Sequence, residues 1–210
     1  MARHLGNCRG HLVDPALMNL LRLVIRNFDD WLSRVEGVEP FTQDPECILR
    51  VQIGQVDHDI LFPDQAVRSG SRALFIHFWN ERMPLIPEQG PDLSYGLRLQ
   101  RLTVHSMKLI AKHIQEAPSL NDVQAVGGIT TFVSGGSADG GRASFQHLGF
   151  TIFPHPRPLG AFGEFWENFY GWWMMWTFNP VSARYRKMRD MQQTEFWMRR
   201  EKFIEKFGEP

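Results

Sequence analysis

His77, Asn80 and Glu81 stand close together in the stretch "IHFWNER". An imidazole with an ordinary pKa near 6.5 exchanges protons at neutral pH, and a carboxylate beside it can orient the ring or act itself. In an extended chain, alternation puts His77 and Glu81 on one side with Trp79 and turns Asn80 to the other. That is a pattern for general acid–base work at a strand end. The same residues also fit a core histidine bonded to backbone, with Glu81 and Arg82 in solvent. His105 lies between Leu102 and Leu109, with His113 two helical turns further on. Either a ligand contact or a satisfied histidine on an apolar stripe fits that placing.

Two glycine-containing stretches could meet anions. "EQGPDLSYG" (Glu88–Gly96) carries Gly90, Ser94 and Gly96 where a helix begins, and free amides at a helix start attract negative charge. Asp92 in the same stretch opposes an anion. "VSGGSADGGR" ends on Arg142, a possible anion contact, but its glycine spacing matches neither nucleotide-phosphate loop, so a flexible connection is the simpler reading. There is no G-x-S-x-G elbow, no H-E-x-x-H and no C-x-x-C pair. Asp57-His58-Asp59 reads as a hairpin tip without further ligands at supporting spacing, so no metal site is expected.

The third notable stretch, Phe162–Pro180, holds four of the chain's seven tryptophans. Phe162, Trp166, Phe169, Trp173 and Trp176 recur at helical steps, and Phe165, Tyr170 and Trp172 widen the apolar band. Such a helix can be buried against the domain, lie in an oligomer interface or lie at a lipid headgroup surface. From Val181 to Lys206 follow eight basic residues against four acidic ones, among them Arg184, Arg186 and Lys187. Indoles followed by cations suit an interfacial anchor on anionic lipid. A helical hairpin on the sheet with solvated charges suits them equally. A membrane surface or a protein is thus the expected partner, with Trp166, Trp172, Trp173 and Trp176 as the contact, and oligomerisation is possible.

The elements that must position these groups follow from pattern. Asp14-Pro15 opens a helix that Gly37 stops, with Leu17, Leu20, Leu21, Val24, Phe28, Trp31, Leu32 and Val35 at helical spacing. Ile48–Val56 alternates as a strand, with Ile48, Arg50 and Gln52 on one side. Ile60–Phe62 is a second strand, and Arg72–Asn80 is the strongest. Asp92 or Ser94 caps a long helix through Gln115. Val123–Phe132 reads as a buried strand, Gly141–Leu148 as a short helix, and Phe150–Phe153 as a last strand. A basic helix is expected from Pro180 to about Phe207. A strand, a long helix and a strand make a right-handed crossover, so those two strands should be parallel within a mixed sheet. The fold class is α/β with a mixed, mostly antiparallel sheet, flanking helices and a C-terminal aromatic and basic helical extension.

At 210 residues with 23 basic and 23 acidic side chains, the chain is long enough for one core and has no bulk field favouring nucleic acid. Two cysteines, Cys8 and Cys47, form no disulfide framework, which points to a reducing cytoplasm. No stretch approaches the roughly 20 apolar residues of a membrane span. The domain expectation is a flexible leader over 1–13, an α/β domain over 14–158 and the extension over 159–210.

"RALFIHFWNE", the long helix, "VGGITTF" and "HLGFTIF" resemble the YkoP-like domain, over Ile48–Phe153. That resemblance implies a bacterial protein with a cell-envelope polysaccharide setting. The order of elements also resembles the GNAT acyltransferase fold, with "FQHLGF" (Phe145–Phe150) in place of its late signature. It implies an acyl-CoA or acyl-carrier thioester as co-substrate, with no resident cofactor. Phe145 stands where the general-acid tyrosine would be, and phenylalanine has no proton to give. Two functions follow as expectations: a group transferase on an envelope lipid or glycan precursor at the inner membrane face, or a non-catalytic accessory protein on the same fold.

Overall fold

A computed structural model describes residues 15–130, 138–155, 160–181 and 193–209. The expected leader, residues 133–137 of the glycine-rich connection, and Arg184, Arg186 and Lys187 lie outside the described residues. The elements run α1 (Pro15–Glu36), β1 (Val38–Glu39), β2 (Leu49–Gln55), β3 (Ile60–Leu61), β4 (Ala66–Val67), β5 (Arg72–Phe78) and α2 (Leu93–Glu116). Then come β6 (Ala125–Thr130), α3 (Ala138–His147), β7 (Thr151–Pro154), α4 (Gly160–Phe178), β8 (Thr194–Arg199) and α5 (Arg200–Phe207). Six strands form one sheet in the order β1-β2-β5-β6-β8-β7, and β3 and β4 form a separate ribbon.

The crossover is as expected: β5 and β6 are parallel, with Phe75 opposite Gly127, and α2 joins them. Every other pairing in the sheet is antiparallel. Asp92 caps α2, its Oδ1 accepting the Tyr95 amide at 2.7 Å. Gly37, at φ 72°, ends α1 in a backbone conformation that a side chain would resist.

One expectation fails. No continuous basic helix reaches Phe207. Residues 194–199 form β8, which sits between β6 and β7 and pairs with both. Phe196, Trp197 and Met198 are all buried there, so the segment is covered on both faces as an inner strand must be. A helix would have turned part of that run to water. Only Arg200–Phe207 is helical at this end.

Strand alternation divides the sheet's faces. Leu49, Val51, Leu74, Ile76, Val126, Phe196 and Met198 point one way and share a core with Leu102, Met107, Ile110 and Ile114 of α2, Phe145 of α3, and Phe203 and Phe207 of α5. Each such buried side chain contributes about 2 kcal/mol. Arg50, His77, Trp197 and Glu195 belong to the alternate register. On that second face the ribbon packs with Ala73, Ala125 and Trp197 in a smaller core, and α1 and α4 cover the rest near β2 and β5. The two helices are antiparallel neighbours: Arg22 donates to the Thr177 carbonyl at 3.2 Å, and Phe28 meets Tyr170. Where β6 passes between β5 and β8, a Cβ on Gly127 would lie 2.0 Å from the Phe196 carbonyl oxygen.

Candidate functional site

A cavity of about 240 Å³ lies under α1 and α4, floored by β2, β5 and β6. Arg50 and His77 are register partners on its floor. Arg50 is only 7% exposed, yet its guanidinium is largely held: Nη1 donates to Ser33 Oγ and Nη2 to Asp29 Oδ2, both at 3.0 Å. The Nε has no partner. The other Asp29 oxygen accepts the Tyr170 hydroxyl at 2.8 Å. Burial and the adjacent Asp29 carboxylate push the Tyr170 phenol well above its ordinary pKa, so it stays a donor. Burial, then the charge of Asp29, raises the Glu36 carboxyl at the cavity edge.

Gln52 fixes the tautomer of His77. Its Nε2 donates to the Glu36 carbonyl at 2.8 Å, which leaves Oε1 to face His77 Nε2 at 2.9 Å. Nε2 therefore carries the ring proton, and Nδ1 keeps the lone pair. Burial first, and the Arg50 charge second, lower the His77 pKa to about 4. The ring is neutral at pH 7 and can accept a proton only in a transient step. The linkage has a definite sign. Between pH 6.5 and 4 the unfolded chain binds this proton and the folded chain does not, so stability is full above 6.5 and falls by about 3 kcal/mol on the way down to 4. His113 is shifted in the same direction by burial, whereas the lowered Asp44, Asp59, Asp64 and Asp122 act below the usual carboxylate range. The expected result is that His77→Gln flattens the acid limb of stability against pH, while the wild-type chain keeps it. Urea midpoints measured at half-unit steps read this directly.

The structure gathers His77 and Asn80 at this cavity and sends Glu81 elsewhere. The chain leaves β5 at Phe78 and turns through a short 3-10 segment, Asn80–Arg82, so the extended alternation no longer holds. Glu81 instead pairs with Arg26 of α1 and accepts from Trp79 Nε1 at 3.2 Å. Gly90, Ser94 and Gly96 lie outside the cavity lining, and the first turn of α2 is already capped by Asp92. His105 bonds Asp44 Oδ2 at 2.9 Å, and Arg142 is exposed on α3. Trp166 is exposed, whereas Trp172, Trp173 and Trp176 are half-buried, with Met174, Met175 and Thr177 forming the buried side of α4.

Asp29, Arg50, Ser33 and Tyr170 went unnoticed as candidates in sequence. The signal was present for Arg50 alone, a long cation inside an otherwise strong strand. A second polar group was also hidden. Glu195, 2% exposed, accepts from Trp197 Nε1 at 2.8 Å and lies 2.7 Å from His155 Nδ1 and 3.3 Å from His58 Nε2. It ties the turn before β3, the end of β7 and β8 together. Among the described residues no group of three or more histidine, cysteine or acidic side chains could hold a metal ion, and no helix is long and apolar enough to cross a membrane.

Comparison with known proteins gives one result. No curated protein and no solved structure matches the chain. A family model, the YkoP domain, matches residues 19–207. That span takes in every side chain that walls the cavity, from Asp29 on α1 to Gln193 ahead of β8, and the chain belongs to the YkoP domain family.

Proposed function

We propose that the chain binds the hydroxyl-rich head of a cell-envelope lipid or glycan precursor in the cavity between α1, α4 and the sheet, and transfers a group to or from it. The observation that carries this reading is Arg50: a buried guanidinium held by Asp29 and Ser33, with one N–H left unpartnered beside the cavity. The surrounding groups are mostly neutral donors and acceptors, from Tyr170, Gln193 and Asn80, and the arginine is balanced by Asp29. A polyol fits that lining better than a multiply charged phosphate, which would face Asp29 and Glu36. His77 Nδ1 is the base for an attacking hydroxyl. The parallel β5–α2–β6 unit supports a GNAT-like arrangement with an acyl thioester as donor: the hydroxyl oxygen takes the acyl group as the C–S bond breaks, and the proton held by His77 passes to the departing thiolate. The exposed aromatics Phe162, Phe165 and Trp166 at the start of α4 support contact with the inner membrane face, where such precursors carry their lipid.

An accessory, non-catalytic role is the second reading. It is favoured by Phe145, which is buried against Phe150 and Phe196 with no acid in its place, and by Asp92, whose carboxylate already occupies the Tyr95 amide of α2. Native mass spectrometry of gently purified protein, followed by organic extraction, tests the proposal. A glycan- or lipid-linked ligand is expected on the wild-type chain and absent from a folded Tyr170→Phe, Asn80→Ala double variant. Wild-type protein that emerges empty, and stays empty when incubated with membrane extract, would overturn the cavity reading. Retention of ligand by His77→Gln with loss of turnover assigns chemistry to that ring; turnover-free binding by the wild type assigns the accessory role.

A further inference from the structure

The strongest unexplained feature lies on the outer side of α1. Leu17, Leu20, Val24, Phe28, Trp31 and Val35 recur at steps of three, four, four, three and four residues, and each is between 43% and 64% exposed. The helix docks on its own domain through a different side, with Ile25, Asp29 and Ser33 buried. Apart from Phe28, whose ring also meets Tyr170, its most regular apolar stripe is therefore turned away from the core that it helps to enclose. Isolated exposed leucines are ordinary, but a continuous six-residue stripe is not.

We infer that this stripe is the interface with a second copy of the chain, α1 packing against α1 about a two-fold axis. Three observations favour that occupant. The stripe is one helix row wide, which suits another helix, and its mean step of about 3.6 residues suits straight helices crossing at an angle instead of a long supercoil. With Leu23 beside it, the stripe presents seven large apolar residues, each between 43% and 64% exposed, a contiguous patch of the kind that marks a protein interface. The arginines of α1 are already engaged within the chain: Arg22 with the Thr177 carbonyl, Arg26 with Glu81, and Arg34 with the Asp30 carbonyl. A surface meant for anionic lipid would keep such cations for headgroups. An isologous pair needs only that the stripe complement itself.

The inference does not depend on what the cavity binds, yet it bears on the cavity. Asp29 and Ser33, the two groups that hold Arg50, project from the inner side of the same helix. Clamping α1 from outside fixes that wall.

Sedimentation equilibrium of the full chain at about 10 µM is the test. The expected result is twice the 24.4 kDa chain mass. Val24→Glu should weaken association on the order of 100-fold with an unchanged circular dichroism spectrum, because two charges would meet apolar surface at the interface. Asn19→Glu, on an exposed part of α1 off the stripe, should leave the dimer intact. A wild-type chain that sediments at 24.4 kDa overturns the inference, as does a Val24→Glu chain that still pairs. A monomeric wild type that floats with phosphatidylcholine–phosphatidylglycerol vesicles would overturn it too, and would assign the stripe to a lipid surface.

Discussion

Arg50→Met should cost the fold 3–5 kcal/mol, roughly the effect of orphaning one member of a buried ion pair. The methionine fills the volume, so packing is not the main loss. The loss comes from Asp29, 9% exposed, which is left buried with only the Tyr170 hydroxyl to answer it. Adding Asp29→Leu should recover most of the stability, since a pair of apolar residues needs no partner. A residue of about 1 kcal/mol should remain, because Tyr170 then lacks its acceptor, and Tyr170→Phe should remove it. Urea denaturation of the single, double and triple variants gives the cycle. Equal destabilisation in the single and double variants would show that the guanidinium acts through packing alone. A stable triple variant that no longer retains ligand would separate what the ion pair does for binding from what it does for folding.

Gly127→Ala should break the fold with a single methyl group. Its Cβ would meet the Phe196 carbonyl oxygen at 2.0 Å and the Trp197 ring at 2.6 Å, and neither is the loose end of a flexible chain. Relief requires β8 to move off β6, which breaks a six-residue ladder. The expected cost exceeds about 4 kcal/mol, and on a marginally stable domain the variant should fail to fold at all. Gly96→Ala is the matched control. A Cβ there meets nothing within 4 Å, and the residue lies inside α2, so alanine should add up to about 1 kcal/mol. Soluble yield and thermal midpoints of the two variants, prepared together, check both directions.

What could be read from sequence was local. α1 with its glycine stop, α2 with its aspartate cap and the parallel β5–β6 pair all follow from short-range rules. What could not be read depended on partners far along the chain. Alternation puts Arg50 on one side of its strand with Ile48 and Gln52, and it is buried there because Asp29 waits 21 residues upstream. The basic helix expected from Pro180 to about Phe207 runs through Glu195. In the fold Glu195 lies inside the sheet because His58, His155 and Trp197 converge on it. Burial of a charge is decided by what satisfies it, and periodicity carries no record of that. His77 does reach the cavity, but the turn after Phe78 hands Glu81 to Arg26 and leaves Gln52 to set the ring.

The position of β8 also bears on how the protein is made. Of the described strands it comes last in the chain, yet it lies inside the sheet, between β6 and β7. Until residue 199 is synthesised, β6 has one bare side and β7 has no neighbour in the sheet. Both expose unpaired amides and carbonyls that can pair with other nascent chains. α1 and α2 can form early, but the sheet closes only once β8 has been made. A pause in translation upstream of Thr194 should therefore hold the chain in its most aggregation-prone form, and slow codons placed there should lower soluble yield more than the same codons placed before α2.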